Sequence, residues 1–301
     1  MNSPRLFTDT TDCTSIEFGD EIVIGTSRYT VTGVERERRF GIDDPKFWVK
    51  RAVNTDTGER KIIKLSFFES FFTSFGGVKI RCFRDPEKEA EILRLVKGHP
   101  AFMQGTSHYD EKGNNIRVLD IVRGRNFFLD IDGLRMPHEK YFHEALPGIL
   151  KKLVEAFTAI GFIHRNGFRH GDIRSDHLMV NQKNGAYVWI DFDYDYSAQE
   201  NPFGLDVFGL GNILAYAVGK GYHNYYMIQN DPYTYGDLKD RLTMEDFSII
   251  HKNRLLNLQK LYPYIPRMLN DIILHFSIGA TIYYEFVDEL IEDLNGYLRS
   301  L

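Results

Sequence analysis

The chain has 301 residues, of which 43% are hydrophobic and 26% charged, with a formal net charge of -5. Such a length and composition suit a globular protein able to bury a full core. The acidic balance argues against a general nucleic-acid or membrane-surface binder, and no run of about 18 apolar residues is present to span a bilayer. Met1–Ser15 is polar and lacks an apolar signal core. Cys13 and Cys82 stand far apart without metal-ligand spacing, so two free thiols in a cytoplasmic protein are expected.

In chain order, residues 1–16 read as a flexible N-terminus rich in Ser, Thr and Asp. Short β-like runs follow at Glu21–Ile24 and Tyr29–Thr32. Further runs at Phe47–Val53 and Lys61–Leu65 are joined by a turn at Asn54–Gly58. Ser66–Asp85 is a long connection whose Phe67, Phe68, Phe71, Phe72 and Phe75 either pack inward or form a partner surface. Asp85-Pro86 supplies a cap and a first-turn proline for a helix to Val96, with Glu87, Glu89 and Glu91 near its positive end. Strands are expected around Met103–Tyr109 and Ile116–Val122. After Gly124 helices dominate. Ile149, Leu150, Leu153, Ala156, Phe157 and Ile160 recur at helical spacing, and Val287, Leu290, Ile291, Leu294 and Leu298 mark a last helix. Short β segments at Leu178–Val180 and Tyr187–Ile190 flank an acidic motif. Strands first and helices second predict an α+β protein with a small β-rich part and a larger helical one. The junction is expected near Asp120–Arg125, and ligands favour clefts between such parts.

Phosphoryl transfer needs positive charge on the phosphates, carboxylates to hold Mg²⁺ and an aligned acceptor. Lys64 ends a β run, Glu89 lies on the next helix, Asp172 follows a helix, and Asp191 follows the β run Tyr187–Ile190. Taken singly each has a plainer reading. Lys64 suits a solvated strand end, Glu89 a helix-dipole partner, His170 a core histidine and Asp191–Asp195 an acidic turn. Their order and spacing carry more than any one of them.

His170-Gly171-Asp172-Ile173-Arg174 resembles the H-R-D-L-K catalytic loop of the protein-kinase superfamily. Ile190-Asp191-Phe192-Asp193 is similar to the D-F-G metal motif, Lys61-Ile62-Ile63-Lys64 to V-A-I-K, and Glu89-Ala90-Glu91-Ile92-Leu93 to the helix that braces the lysine. Asp206-Val207-Phe208-Gly209-Leu210-Gly211 resembles the D-x-x-x-x-G helix beneath the active site, and Leu269–Leu298 the last helices of bacterial Ser/Thr-type kinase domains. The resemblance spans roughly residues 17–298. It implies a bilobal kinase-like fold, with an N-lobe over 17–122 and a C-lobe over 123–301.

By that resemblance Asp172 orients or deprotonates the acceptor hydroxyl, and Arg174 steadies the γ-phosphate. Lys64 grips the α- and β-phosphates of ATP with Glu89 as its brace, and the backbone of Asp120, Ile121 and Val122 meets the adenine. Asp191 holds Mg²⁺, with Mn²⁺ as an alternative. His170, Phe192 and Leu93 match hydrophobic spine positions, where packing is the expected role.

Three departures stand out. His177 occupies the place of the metal-binding Asn, although Mg²⁺ prefers oxygen ligands. Either the second metal is lost, or Asp176 or Asp193 supplies an oxygen. Asp193 equally suits a solvent-facing position, and His177 a bond to the metal-site carboxylates or a phosphate. No glycine-rich loop occurs between Val34 and Phe47, where only Gly33 and Gly41 are near. Arg36, Arg38 and Arg39 there either touch phosphates or form a solvated hairpin tip. The stretch from Asp191 to Asp206 is short and lacks A-P-E, which implies no control by loop phosphorylation. The leading expectation is an ATP-dependent Ser/Thr-type protein kinase acting on an unidentified protein or small-molecule acceptor. The alternatives are an aminoglycoside- or choline-type small-molecule kinase and a pseudokinase that binds nucleotide as a scaffold. No nucleic-acid or membrane partner is expected.

Overall fold

The β-rich signals before Val122 gather into one seven-stranded sheet. A computed structural model of the chain describes residues 4–39, 42–75, 78–198 and 200–301; Met1–Ser3, Phe40, Gly41 and the side chains of Arg38, Arg39 and Phe75 lie outside the described residues. By internal contacts the chain divides into two compact units. One comprises Met1–Phe71, Phe83–Arg123 and Phe192–Tyr194, the other Phe72–Cys82, Gly124–Asp191 and Asp195–Leu301. The mixture of a β-sheet and helices is compatible with an α+β kinase-like fold.

In the first unit the strands run β1 (Leu6–Phe7), β2 (Glu21–Ile24), β3 (Ser27–Arg39), β4 (Ile42–Asn54) and β5 (Arg60–Lys64). Strands β6 (Ser70–Phe75) and β7 (Val78–Arg84), most of whose residues belong to the second unit, come before helix α1 (Pro86–Leu95) and strands β8 (Gly105–Tyr109) and β9 (Asn115–Asp120). The sheet order is β1-β2-β3-β4-β5-β9-β8. Alternation of apolar residues turns one face inward. Ile22, Ile24, Val31, Ala52, Ile63, Ile116 and Val118 meet there with Cys13 and Ile16. Full burial of each such Ile or Val contributes about 1.5–3 kcal/mol. The N-terminal segment, expected to be flexible, is therefore partly built into this core. Leu6–Phe7 pairs in parallel with β2, and the buried Lys50 ammonium donates to the carbonyls of Cys13 (2.8 Å) and Ile16 (2.6 Å).

Between Val34 and Phe47, β3 and β4 continue as paired strands, with register shifts between Val31 and Gly33 and between Val34 and Glu35. Glu37 and Glu35 pair across the strands, with Lys46 at 3.2 Å and Arg51 at 3.7 Å. Exposed Arg36 sits opposite Pro45. The phosphate-contact expectation for Arg38, Arg39 and Gly41 falls outside what the structure describes. Asp85 caps α1 by accepting the N–H groups of Glu87 and Lys88, each at 3.0 Å. In the aromatic connection Phe67 stacks on Trp48 at 4.1 Å. Phe68, Phe71 and Phe72 are exposed, although Phe71 also meets the Tyr194 ring edge-on at 6.0 Å.

In the second unit β10 (Gly124–Asn126) precedes helices α2 (Phe127–Asp132), α3 (His138–Glu144) and α4 (Leu146–Arg165). Strands β11 (Leu178–Asn181) and β12 (Tyr187–Trp189) join β10 in a small sheet, and β13 (Tyr194–Tyr196) lies in a third sheet of order β13-β7-β6. Then come α5 (Gly204–Gly219), α6 (Tyr225–Asn230), α7 (Pro232–Tyr235), α8 (Leu238–Arg241), α9 (Arg267–Leu274) and α10 (Val287–Arg299). The apolar stripe of α4 buries Leu150, Leu153, Phe157 and Ile160, and that of α10 buries Val287, Leu290 and Leu294. The indole N–H of Trp189 donates to the Ala156 carbonyl at 2.9 Å, tying β12 to α4. No helix among the described residues is long and apolar enough to cross a membrane.

Candidate functional site

In the first unit β5 delivers Lys64 and α1 delivers Glu89, both buried, with Lys64 Nζ 3.0 Å from Glu89 Oε1. Lys64 faces Arg117 across the strand pair, two like charges that would repel if unshared. Glu89 resolves this. Its second oxygen accepts from Arg117 Nε at 3.1 Å, and its first also accepts the Phe192 N–H at 3.3 Å. A buried carboxylate with partners on both oxygens is satisfied, which is the condition for keeping it charged in the core.

Asp193, for which metal binding and a solvent-facing position are the two expectations, does not face solvent. It is buried, with Lys64 Nζ at 3.1 Å and Arg84 Nη1 at 2.8 Å from each carboxylate oxygen. Arg84 also donates to the Tyr194 hydroxyl at 2.8 Å and to Glu69 at 3.1 Å, and lies 4.0 Å from the Tyr194 ring centre. Lys88 donates to the Tyr194 carbonyl. The segment after Asp191 is thus held by cations from β5, β7 and α1. Phe192 packs edge-on against Phe102, and Leu93 is buried as well.

In the second unit the loop 170–177 is fixed from below. Buried Asp206, in the first turn of α5, accepts the N–H groups of His170 (2.6 Å) and Gly171 (2.9 Å) and a bond from His164 Nε2 at 3.0 Å. Burial pushes its pKa up, but the His164 hydrogen bond and charge and the Gly171 N–H prevail and hold it below the usual carboxylate range. Gly171 has a φ of +87°, which glycine adopts without penalty. Gly209 lets Ile173 lie directly on α5: a Cβ there would stand 2.8 Å from the Ile173 carbonyl oxygen. Buried His170 packs edge-on against Trp189 at 5.3 Å.

Asp172, Arg174, His177 and Asp191 come together on this loop. His177 Nδ1 donates to the Asp172 carbonyl at 2.9 Å, and its Nε2 accepts from Arg174 Nη2 at 2.9 Å, a pattern that assigns the neutral Nδ1–H tautomer. The carboxylates of Asp172 and Asp191 stand 3.5 Å from Nδ1 and Nε2 respectively. Arg174 also reaches Asp176 at 3.1 Å and lies 3.7 Å from Asp172. Both His177 nitrogens thus have hydrogen-bond partners within the loop. Asp191 has a φ of +70°, a backbone state that costs a non-glycine residue on the order of 1 kcal/mol. Among the described residues no group of three or more His, Cys, Asp or Glu side chains is arranged to hold a metal.

The adenine-facing expectation rests on Asp120–Val122, at the end of β9 in the first unit. Asp120 donates its N–H to Gln104 and accepts from Lys61 Nζ at 2.7 Å, while Ile121 is 41% exposed. Among the described residues no intramolecular hydrogen bond forms at the backbone of Ile121 or Val122. Sequence reasoning passed over Arg84 and Arg117. Arg117 carried a signal, as a charge inside the apolar strand Asn115–Asp120; Arg84 carried none, because its partner lies 109 residues away.

No family model matches the chain. The "Probable serine/threonine-protein kinase fnkE" of Dictyostelium discoideum is 28% identical over 117 residues, covering 38% of this chain and 9% of that protein. The calcium/calmodulin-dependent protein kinase type 1 of Caenorhabditis elegans is 26% identical over 148 residues, covering 49% of this chain and 38% of that protein. The matched regions are thus well under half the length of these relatives. The chain carries distant, partial homology to Ser/Thr protein kinases, which supports a place in the kinase-like superfamily.

Proposed function

We propose that the chain is an ATP-dependent phosphotransferase of the Ser/Thr protein-kinase type. The observation that carries this reading is the buried Lys64–Glu89 pair at 3.0 Å. Taking such charges out of water costs several kcal/mol, and well-packed apolar residues often serve stability as well or better. A lysine kept there and aimed by a glutamate therefore points to a task.

In this reading Lys64, braced by Glu89, grips the α- and β-phosphates, and the backbone of Asp120, Ile121 and Val122 meets the adenine. Asp172 accepts the proton of the acceptor hydroxyl, in the position His177 and Arg174 give it, and Arg174 steadies the γ-phosphate. Mg²⁺ fits one carboxylate supplemented by phosphates and water. Asp191, side-chain exposure 16%, is the residue that would hold it. When bound, the ion would neutralise charge on the phosphates, and Mn²⁺ suits the same oxygen. Neither His177 nor Asp193 adds a metal ligand in this reading, since their polar atoms already serve Arg174, Arg84 and Lys64.

Those same contacts favour a second reading, a nucleotide-binding scaffold without turnover, because Asp193 competes with phosphate for Lys64. Incubation with radiolabelled ATP, Mg²⁺ or Mn²⁺ and generic protein acceptors, beside Asp172→Ala, separates the two. Label lost in the variant supports transfer. ATP-induced thermal stabilisation without transfer supports the scaffold. No ATP binding at all sinks both.

A further inference from the structure

Arg254 in the second unit is a cation without a counter-charge. Its guanidinium is half-buried, with its pKa lowered by desolvation, yet among the described residues no carboxylate forms an ion pair with it. What holds it is neutral. Nη1 donates to Asn212 Oδ1 at 3.0 Å, and the guanidinium carbon lies 3.5 Å from the centre of the Tyr222 ring. Its remaining N–H groups donate to no protein acceptor among the described residues and are not sealed from solvent. Partial desolvation of a charge costs free energy that a π face and one amide oxygen offset only in part. An arriving anion would supply the rest, in the forked geometry that suits carboxylates.

The place of Arg254 gives that anion a context. Tyr222, on which it stacks, has its hydroxyl close enough to Ser175, within the Asp172–His177 loop, for that side chain to oppose the rise in its pKa that burial causes. Asn212 is one helical turn beyond Gly209 on the same face of α5, and Gly209 is where Ile173 rests. Arg254 is therefore joined by two short routes to the residues flanking Asp172. The nearby carboxylate of Asp176 is paired with Arg174 at 3.1 Å.

We propose that Arg254, seated on Tyr222 and Asn212, is a specificity-determining residue that binds a carboxylate near the acceptor hydroxyl, so that the acceptor is an acidic Ser/Thr segment of a protein. This rests on the phosphotransferase reading for the word acceptor. The anion site itself rests on Arg254. A cationic acceptor of the aminoglycoside or choline type is disfavoured by the same charge.

The test is binding by fluorescence anisotropy to three labelled serine peptides, flanked by glutamate, glutamine or lysine, for the wild type, Arg254→Gln and Arg254→Lys. The net charge of -5 biases non-specific binding toward the lysine peptide, so a preference for glutamate opposes the background. The expected result is glutamate binding about tenfold tighter than glutamine, lost in Arg254→Gln and partly kept in Arg254→Lys. Equal binding of the wild type to glutamate and glutamine peptides overturns the proposal, and needs no variant to fold. So does a glutamate preference that survives in an Arg254→Gln protein of unchanged melting temperature. If the preference holds but neither peptide is labelled from ATP, the anion site stands and the phosphotransferase reading falls.

Discussion

Glu89 sits between two buried cations, and this asymmetry separates stability from function at the level of single residues. Lys64 has two anions, Glu89 and Asp193, while Arg117 has Glu89 together with the neutral carbonyls of Asn115 and Leu65. Glu89→Gln leaves Arg117 buried with no carboxylate, and removing one member of a buried pair costs about 3–5 kcal/mol. Lys64→Met leaves Glu89 with Arg117 and Asp193 with Arg84, so its cost should be nearer 1 kcal/mol. Urea denaturation of the two variants checks the order. Equal losses would show that the network is not centred on Glu89. ATP-induced thermal stabilisation should vanish in Lys64→Met although its fold is the better preserved. A second residue-scale prediction concerns His177. Both of its nitrogens are engaged, and Mg²⁺ prefers oxygen ligands. His177→Asn places an amide oxygen there, and the Mg²⁺-dependent part of ATP binding should tighten several-fold, about 1 kcal/mol. An unchanged Mg²⁺ titration would mean that this position does not face the metal.

At the scale of elements, the loop 170–177 depends on close contact with α5. A Cβ at Gly209 would stand 2.7 Å from Ile173 Cβ and 2.8 Å from its carbonyl oxygen, so the loop backbone rather than a flexible side chain must give way. Gly209→Ala should destabilise by about 1–3 kcal/mol, as overpacking does. Transfer from ATP should fall by more than that loss of stability explains, because Asp172 moves with Ile173. Labelling at the wild-type rate in a folded Gly209→Ala protein would refute this. The glycine itself was legible in the sequence, inside Asp206–Gly211, and so were the cap at Asp85 and the apolar stripes of α4 and α10. These are local signals of period and capping chemistry. The full length of β3 and β4 was not legible, because Glu35-Arg36-Glu37-Arg38 carries no apolar alternation and the strands are held by pairing to each other. The β6–β7 hairpin was missed for a related reason. Its Phe71 and Phe72 look like core residues, yet they are exposed. The pairing of Asp193 with Arg84 was not legible, because 109 residues separate them and no periodicity reports such a contact.

Over the whole molecule, the half-buried histidines His138 and His223 set how stability should respond to acid. His138 stacks on Tyr262 at 3.5 Å, with Nε2 on the Val218 carbonyl and Nδ1 on the Tyr264 hydroxyl, an arrangement that satisfies the neutral ring. Burial first, and then the nearby His223 and Lys220, lower its pKa to about 4. His223, bonded to Gly219 and Tyr235, is lowered mainly by burial. In the unfolded chain these rings titrate near the ordinary value of about 6.5. As pH falls below that value the unfolded state takes up protons that the folded state refuses, so their contribution, complete above about pH 6.5, is lost progressively toward pH 4. Asp20, Asp206 and Asp246 have lowered values too, but depressed carboxylates lose their contribution only on further acidification, below about pH 4. The window between pH 6.5 and 4 therefore belongs to the histidines. The urea midpoint should be flat from pH 8 to 7 and fall steadily to pH 4.5. His138→Gln, which cannot take up the proton, should start lower and fall less steeply. A midpoint that holds constant down to pH 4.5, or an equal slope in the variant, would show that these rings are not kept neutral by the fold.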